Sequence, residues 1–82
     1  MGKVAVLFRV YAEGGKEAEV MNRIREELKP NSMEQEEVAF GIKVIKVLFI
    51  HDDSEGSSVF EEKLKKTQDV NEVEVIEESL IS

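Results

Sequence analysis

Residues 42–51 read Ile42-Lys43-Val44-Ile45-Lys46-Val47-Leu48-Phe49-Ile50-His51. This run, rich in Ile and Val, is the strongest strand of the chain, because branched side chains stiffen the backbone in the extended conformation. Ile45, Val47 and Phe49 share one parity; Val44, Lys46, Leu48 and Ile50 share the other. Successive strand side chains point to opposite faces, so both faces of this strand are largely apolar, as expected at the centre of a sheet.

Upstream, residues 33–39 are polar and read as an edge strand, where Glu34, Glu36 and Glu37 discourage pairing with foreign strands. Before them, residues 16–29 change to a helical period, with Val20, Met21, Ile24 and Leu28 on one stripe and Ala18 at its margin. Glu17 and Glu19 sit in the first turn and Lys29 in the last, the order the helix dipole favours, and Pro30 stops the helix. Residues 3–11 alternate again: Val4, Val6, Phe8 and Val10 form a fully apolar face, and Gly14-Gly15 breaks the strand.

Downstream, residues 52–56 are a loop, and Ser58 and Glu61 have the spacing of a capping box that opens a second helix. Phe60 and Leu64 anchor that helix, with Glu61/Lys65 and Glu62/Lys66 as exposed pairs. A last strand covers about 71–77 with Val73 and Val75 inward, and Leu80 and Ile81 follow it. The order βαββαβ predicts an α+β split βαβ sandwich of the ferredoxin-like kind. The first and third strands lie in the middle of a four-stranded antiparallel sheet, with both helices on one face. The other face then carries Ala5, Leu7, Val44, Leu48 and Ile50 with no helix to cover them. Either Lys46 and Arg9 lie across it, or it is a contact surface.

A chain of 82 residues makes one domain, residues 1–82, and its 41% hydrophobic content suffices for a packed interior. The net charge of −7 argues against nucleic-acid phosphates and anionic membranes, and favours a protein partner with a basic surface. The absence of cysteine excludes disulfides, zinc–thiolate sites and thiol nucleophiles. The chain shows no signal peptide or spanning segment, and a cytoplasmic location is expected.

An RNA-recognition domain would need aromatic residues on the open face of its central strands, yet Phe49 has the buried parity. His51 reads as a satisfied residue at a strand end, not a catalyst or ligand. Asp52, Asp53 and Glu55 lack a calcium-loop pattern and read as a solvated helix-entry loop. Ser54, Ser57 and Ser58 have no evident base nearby, so capping and turns explain them. No catalytic residue, metal site or cofactor is expected, nor any covalent chemistry.

Glu37-Val38-Ala39-Phe40-Gly41-Ile42-Lys43 resembles the hallmark of translation elongation factor 1-beta, in its short archaeal form and in the exchange domain of its eukaryotic form. The acidic loop with Asp52-Asp53 and Glu55-Gly56, the helix with Phe60-Glu61-Glu62, and Val70-Asn71-Glu72-Val73-Glu74-Val75 follow in register, so the resemblance covers essentially the whole chain. It implies guanine-nucleotide exchange on the elongation factor 1-alpha GTPase, with GDP, GTP and Mg²⁺ carried by that partner. In this family an aromatic loop contacts a β-barrel domain of the GTPase, and the carboxyl-terminal end approaches its Mg²⁺ and phosphate region. Carried over, the loop contact is Ala39, Phe40 and Gly41, and the second contact is Leu80 and Ile81. Relatives place Lys or Arg within their last few positions, whereas this sequence has neither after Lys66. The other reading is an interaction module that self-associates through the open sheet face, giving a homo-oligomer; a small-ligand regulatory domain has no motif to support it.

Overall fold

The computed structural model describes residues 2–54 and 56–81. Its elements are β1 (Lys3–Ala12), α1 (Glu17–Glu27), β2 (Ser32–Ala39), β3 (Ile42–Asp52), α2 (Ser58–Lys66) and β4 (Val70–Leu80). The sheet order is β2-β3-β1-β4, all neighbours antiparallel, so the two most apolar strands are central as expected.

Val6 lies opposite Phe49, Phe8 opposite Val47 and Val10 opposite Ile45. These side chains form the floor of the core, closed from above by Val20 and Ile24 of α1 and Leu64 of α2. Phe8 meets Phe49 edge-on at 5.9 Å between centroids, and Phe49 stacks on Phe60 at 4.5 Å. Aromatic pairs in these arrangements add about 1 kcal/mol each beyond the area they bury.

α1 is shorter than its periodicity predicts. It ends at Glu27, and Lys29 turns into the left-handed region (φ 49°) with its N–H on the Ile24 carbonyl at 3.2 Å. Pro30 explains the stop, since the residue before a proline is excluded from the right-handed helical region. Arg23 then ties α1 to the start of β4, donating to Asp69 at 2.9 Å and to the Gln68 carbonyl at 3.1 Å.

Two expectations about the second half need correction. The capping box does not form: Ser57, not Ser58, is the N-cap of α2, and no side-chain cap hydrogen bond is made. The Ser57 hydroxyl is engaged elsewhere. The last strand also runs beyond residue 77 to Leu80. Val73 is buried as expected, but Val75, which pairs with the buried Phe8, remains 46% exposed at the sheet edge.

β4 carries a bulge at Ile76: Val75 pairs with Phe8 and Glu77 with Leu7. One extra residue reverses the alternation beyond it, placing Glu78 opposite Val6 and Leu80 opposite Val4, on the side where the helices lie.

Candidate functional site

Phe40 and Gly41 are the two-residue loop joining β2 to β3, with Ala39 paired to Ile42 at its base. Both have positive φ, 51° and 76°. This is the sign pattern of the type I′ turn, whose twist matches the flanking strands and whose usual occupants are Asn and Gly. Gly41 adopts it without cost, lacking a Cβ. Phe40 does not, because a bulky residue there brings Cβ against its own carbonyl, at a cost of about 1–2 kcal/mol.

The ring does not offset that cost by burial. Phe40 is 102% exposed, so it does not plug the end of the core, and Val38 and Ile42 beside it are 45% and 54% exposed. The three make an apolar tip on a hairpin whose body is acidic, with Glu34 and Glu37 outside. A strained backbone carrying an unburied aromatic ring is the kind of feature that persists where a ring must be presented. Val38 and Ile42 were not singled out by sequence reasoning; the tight turn at Phe40-Gly41 is the signal that sets them beside the ring.

Leu80 and Ile81 lie at the opposite end of the molecule. Leu80 pairs with Val4, which in turn faces His51 near the end of β3. Leu80 is 67% and Ile81 52% exposed, although the Ile81 N–H is held by the Lys3 carbonyl at 2.8 Å. Ile42 and His51 are nine residue steps apart along β3, so at about 3.3 Å per step the two ends stand ~30 Å apart. The long axis of the molecule, 40 Å, accommodates that span.

The open face is partly covered from within. Lys46 reaches Glu36 at 3.3 Å and Arg9 reaches Glu74 at 3.4 Å, while Tyr11 donates to Glu74 at 3.0 Å. Tyr11 first, by hydrogen bonding and charge, and Glu74 after it raise the Arg9 pKa against the opposing effect of desolvation. Val44, opposite Glu36 in register, is fully buried. Farther from the hairpin, Ala5, Leu7 and Leu48 are half-buried and Ile50 is 38% exposed.

The side chains weighed for chemistry are engaged in structure. Asp52 pairs with Lys3 at 2.9 Å, and Asp53 accepts the Gly2 N–H at 3.0 Å, while Glu55 lies outside the described residues. Among the described residues no group of three or more His, Asp or Glu side chains is placed to hold a metal, and no helix is long and apolar enough to cross a membrane. The expectation that Ser57 has no base nearby is wrong: its hydroxyl lies 2.9 Å from His51 Nε2. The two residues are six apart across a strand-to-helix loop, a separation with no periodic signature.

No curated protein matches the sequence. The family model of the EF-1 guanine nucleotide exchange domain does, over residues 13–81. That span takes in the Phe40-Gly41 hairpin, the loop after β3, α2 and the start of β4, the parts from which the earlier resemblance was drawn. On this match the chain belongs to the EF-1 guanine nucleotide exchange domain family, the domains that serve nucleotide exchange on the elongation factor 1 GTPase of translation.

Proposed function

We propose that this chain promotes GDP release from elongation factor 1-alpha by gripping the GTPase at two points ~30 Å apart, the spacing set by the strand rise. Ala39, Phe40 and Gly41 form the first grip. The ring enters an apolar pocket of the partner, and Gly41, with open space around it, allows close backbone approach; a Cβ there would meet nothing nearer than Glu37 at 3.9 Å. Leu80 and Ile81 form the second grip and disturb the Mg²⁺ and phosphate region of the bound nucleotide.

The exposed ring on a strained turn carries this reading. An isolated domain gains nothing from it, whereas a buried aromatic anchor is the common form of a binding hot spot. Exchange then follows from linkage: a factor that prefers the nucleotide-free GTPase weakens nucleotide binding by the coupling free energy it exerts. GTP rebinds by mass action and expels the factor. No bond is made or broken. Leu80 and Ile81 are apolar, so their contribution to this grip is steric. The net charge of −7 suits a basic partner surface and speeds encounter. A role in translation puts the chain in the cytoplasm.

Stopped-flow release of a fluorescent GDP analogue from the cognate GTPase tests this. Acceleration by the chain that Phe40→Ala diminishes supports it. No acceleration, with tight self-association, would favour instead a module that pairs through its open sheet face.

A further inference from the structure

Beneath the end of the sheet, side chains from three elements meet: His51 of β3, Ser57 at the start of α2 and Glu78 of β4. His51 is 5% exposed, its ring 5.3 Å from that of Phe60. Its Nδ1 lies 2.7 Å from the Asp52 carbonyl oxygen and its Nε2 lies 2.9 Å from Ser57 Oγ. The same Oγ is hydrogen-bonded to Glu78 Oε2. The bulge at Ile76 brings Glu78 to this side of the sheet at all.

Counting hydrogens constrains how the chain of contacts is held. A carbonyl oxygen only accepts, so Nδ1 must carry a proton and donate to Asp52. With a neutral ring, Nε2 is then an acceptor and needs the Ser57 hydrogen. An ionised Glu78 is also only an acceptor and needs the same hydrogen. Neutral histidine, serine and carboxylate thus bring two hydrogens to three links. All three close only when one further proton is bound. It sits either on Nε2, which then donates to Ser57 while Ser57 donates to Glu78, or on Glu78, which donates to Ser57 while Ser57 donates to Nε2.

We propose that His51, Ser57 and Glu78 are a proton-dependent clasp that fastens the end of β4, and with it Leu80 and Ile81, to the body of the domain. With the additional proton aboard, the clasp is closed; when the proton leaves, one link opens and the final residues of β4 loosen. Several charged groups on the surrounding elements have partners of their own, and Glu62, Lys63 and Lys66 of α2 and Glu77 of β4 complete the set. On α2, Glu61 pairs with Lys65 at 3.0 Å; beyond β3, Asp52 pairs with Lys3 of β1 at 2.9 Å and Asp53 accepts the Gly2 N–H. Glu78 is the carboxylate joined to the ring through the hydroxyl. The clasp requires nothing of the GTPase and stands whether or not the exchange reading does.

Glu78→Gln separates this from a merely structural contact. A carboxamide supplies the missing hydrogen itself: its N–H donates to Ser57, Ser57 donates to Nε2, and Nδ1 donates to Asp52 with the ring neutral. The readout is the NMR protection factor of the Ile81 amide, measured on either side of the histidine range at about pH 5.5 and about pH 8.5. In the unaltered chain, protection is expected to fall roughly fivefold at the higher pH, the factor equivalent to one hydrogen bond. Glu78→Gln should keep the higher protection at both values, and Ser57→Ala the lower one at both. Amides of Val6 and Phe8 serve as the control that each variant is folded. Equal protection at both pH values in the unaltered chain, or a segment that Glu78→Gln opens, would overturn the proposal.

Discussion

Replacing Phe40 by Asn should make the domain more stable and less active at once. Asn-Gly is the preferred pair for a type I′ turn, and Asn tolerates the left-handed conformation that Phe40 occupies at φ 51°. The relieved strain is about 1 kcal/mol. Against this stands the apolar burial lost with the ring, which is essentially nil because the residue is 102% exposed. The net gain of about 1 kcal/mol raises Tm by about 4–8 °C for a domain of this size. In nucleotide exchange the sign reverses. A Phe side chain leaving an apolar partner pocket forfeits about 1.5–3 kcal/mol, or roughly 10- to 150-fold in affinity for the GTPase. Thermal unfolding by circular dichroism and stopped-flow GDP release, on the same preparations, read the two effects. A Phe40→Asn variant no more stable than the unaltered chain would refute the strain assigned to the turn. One that is stabilised yet exchanges at full rate would refute the anchor.

Other outcomes follow from the packing and charge. Phe8→Ala empties the centre of the core, where Phe8 is fully buried against Phe49, and should cost about 3–5 kcal/mol in urea unfolding; a loss below about 1 kcal/mol would contradict the packing described. Ile81→Lys puts a cation at the second grip, and should raise the GDP release rate severalfold if that end reaches the Mg²⁺ site; no change would place the tail elsewhere. Because the chain carries a net charge of −7, association with the GTPase should slow as salt rises through about 0.5 M, where charges beyond a few Å are screened. A salt-independent association rate would rule out steering.

Much of the architecture was legible because its causes are local. The alternation in residues 3–11 and 42–51 and the helical stripe Val20, Met21, Ile24, Leu28 each report which faces one element buries, without reference to any other element. Their order leaves few topologies open, and the central placement of β1 and β3 follows from their having two apolar faces. The loop at Ala39, Phe40 and Gly41 was legible through the resemblance of the segment around it.

What the chain order could not convey arose wherever one element's conformation depends on a distant one. Ser57 beside a histidine, and Glu78 bonded to that serine, needs β3, α2 and β4 assembled together. The bulge at Ile76, which turns Glu78 and Leu80 toward the helices, is a mismatch between β4 and its partner β1 and leaves no mark on the alternation within β4 alone. The complete burial of Val44 depends on a neighbouring strand, β2, whose Glu36 lies opposite it in register. Sequence by itself thus determined the elements, their faces and the place of Phe40 between two strands, since periodicity acts over a few residues. Tertiary structure decided that the ring stands exposed on a strained turn and that the tail lies ~30 Å away. Pairing registers and bulges are properties of two strands at once.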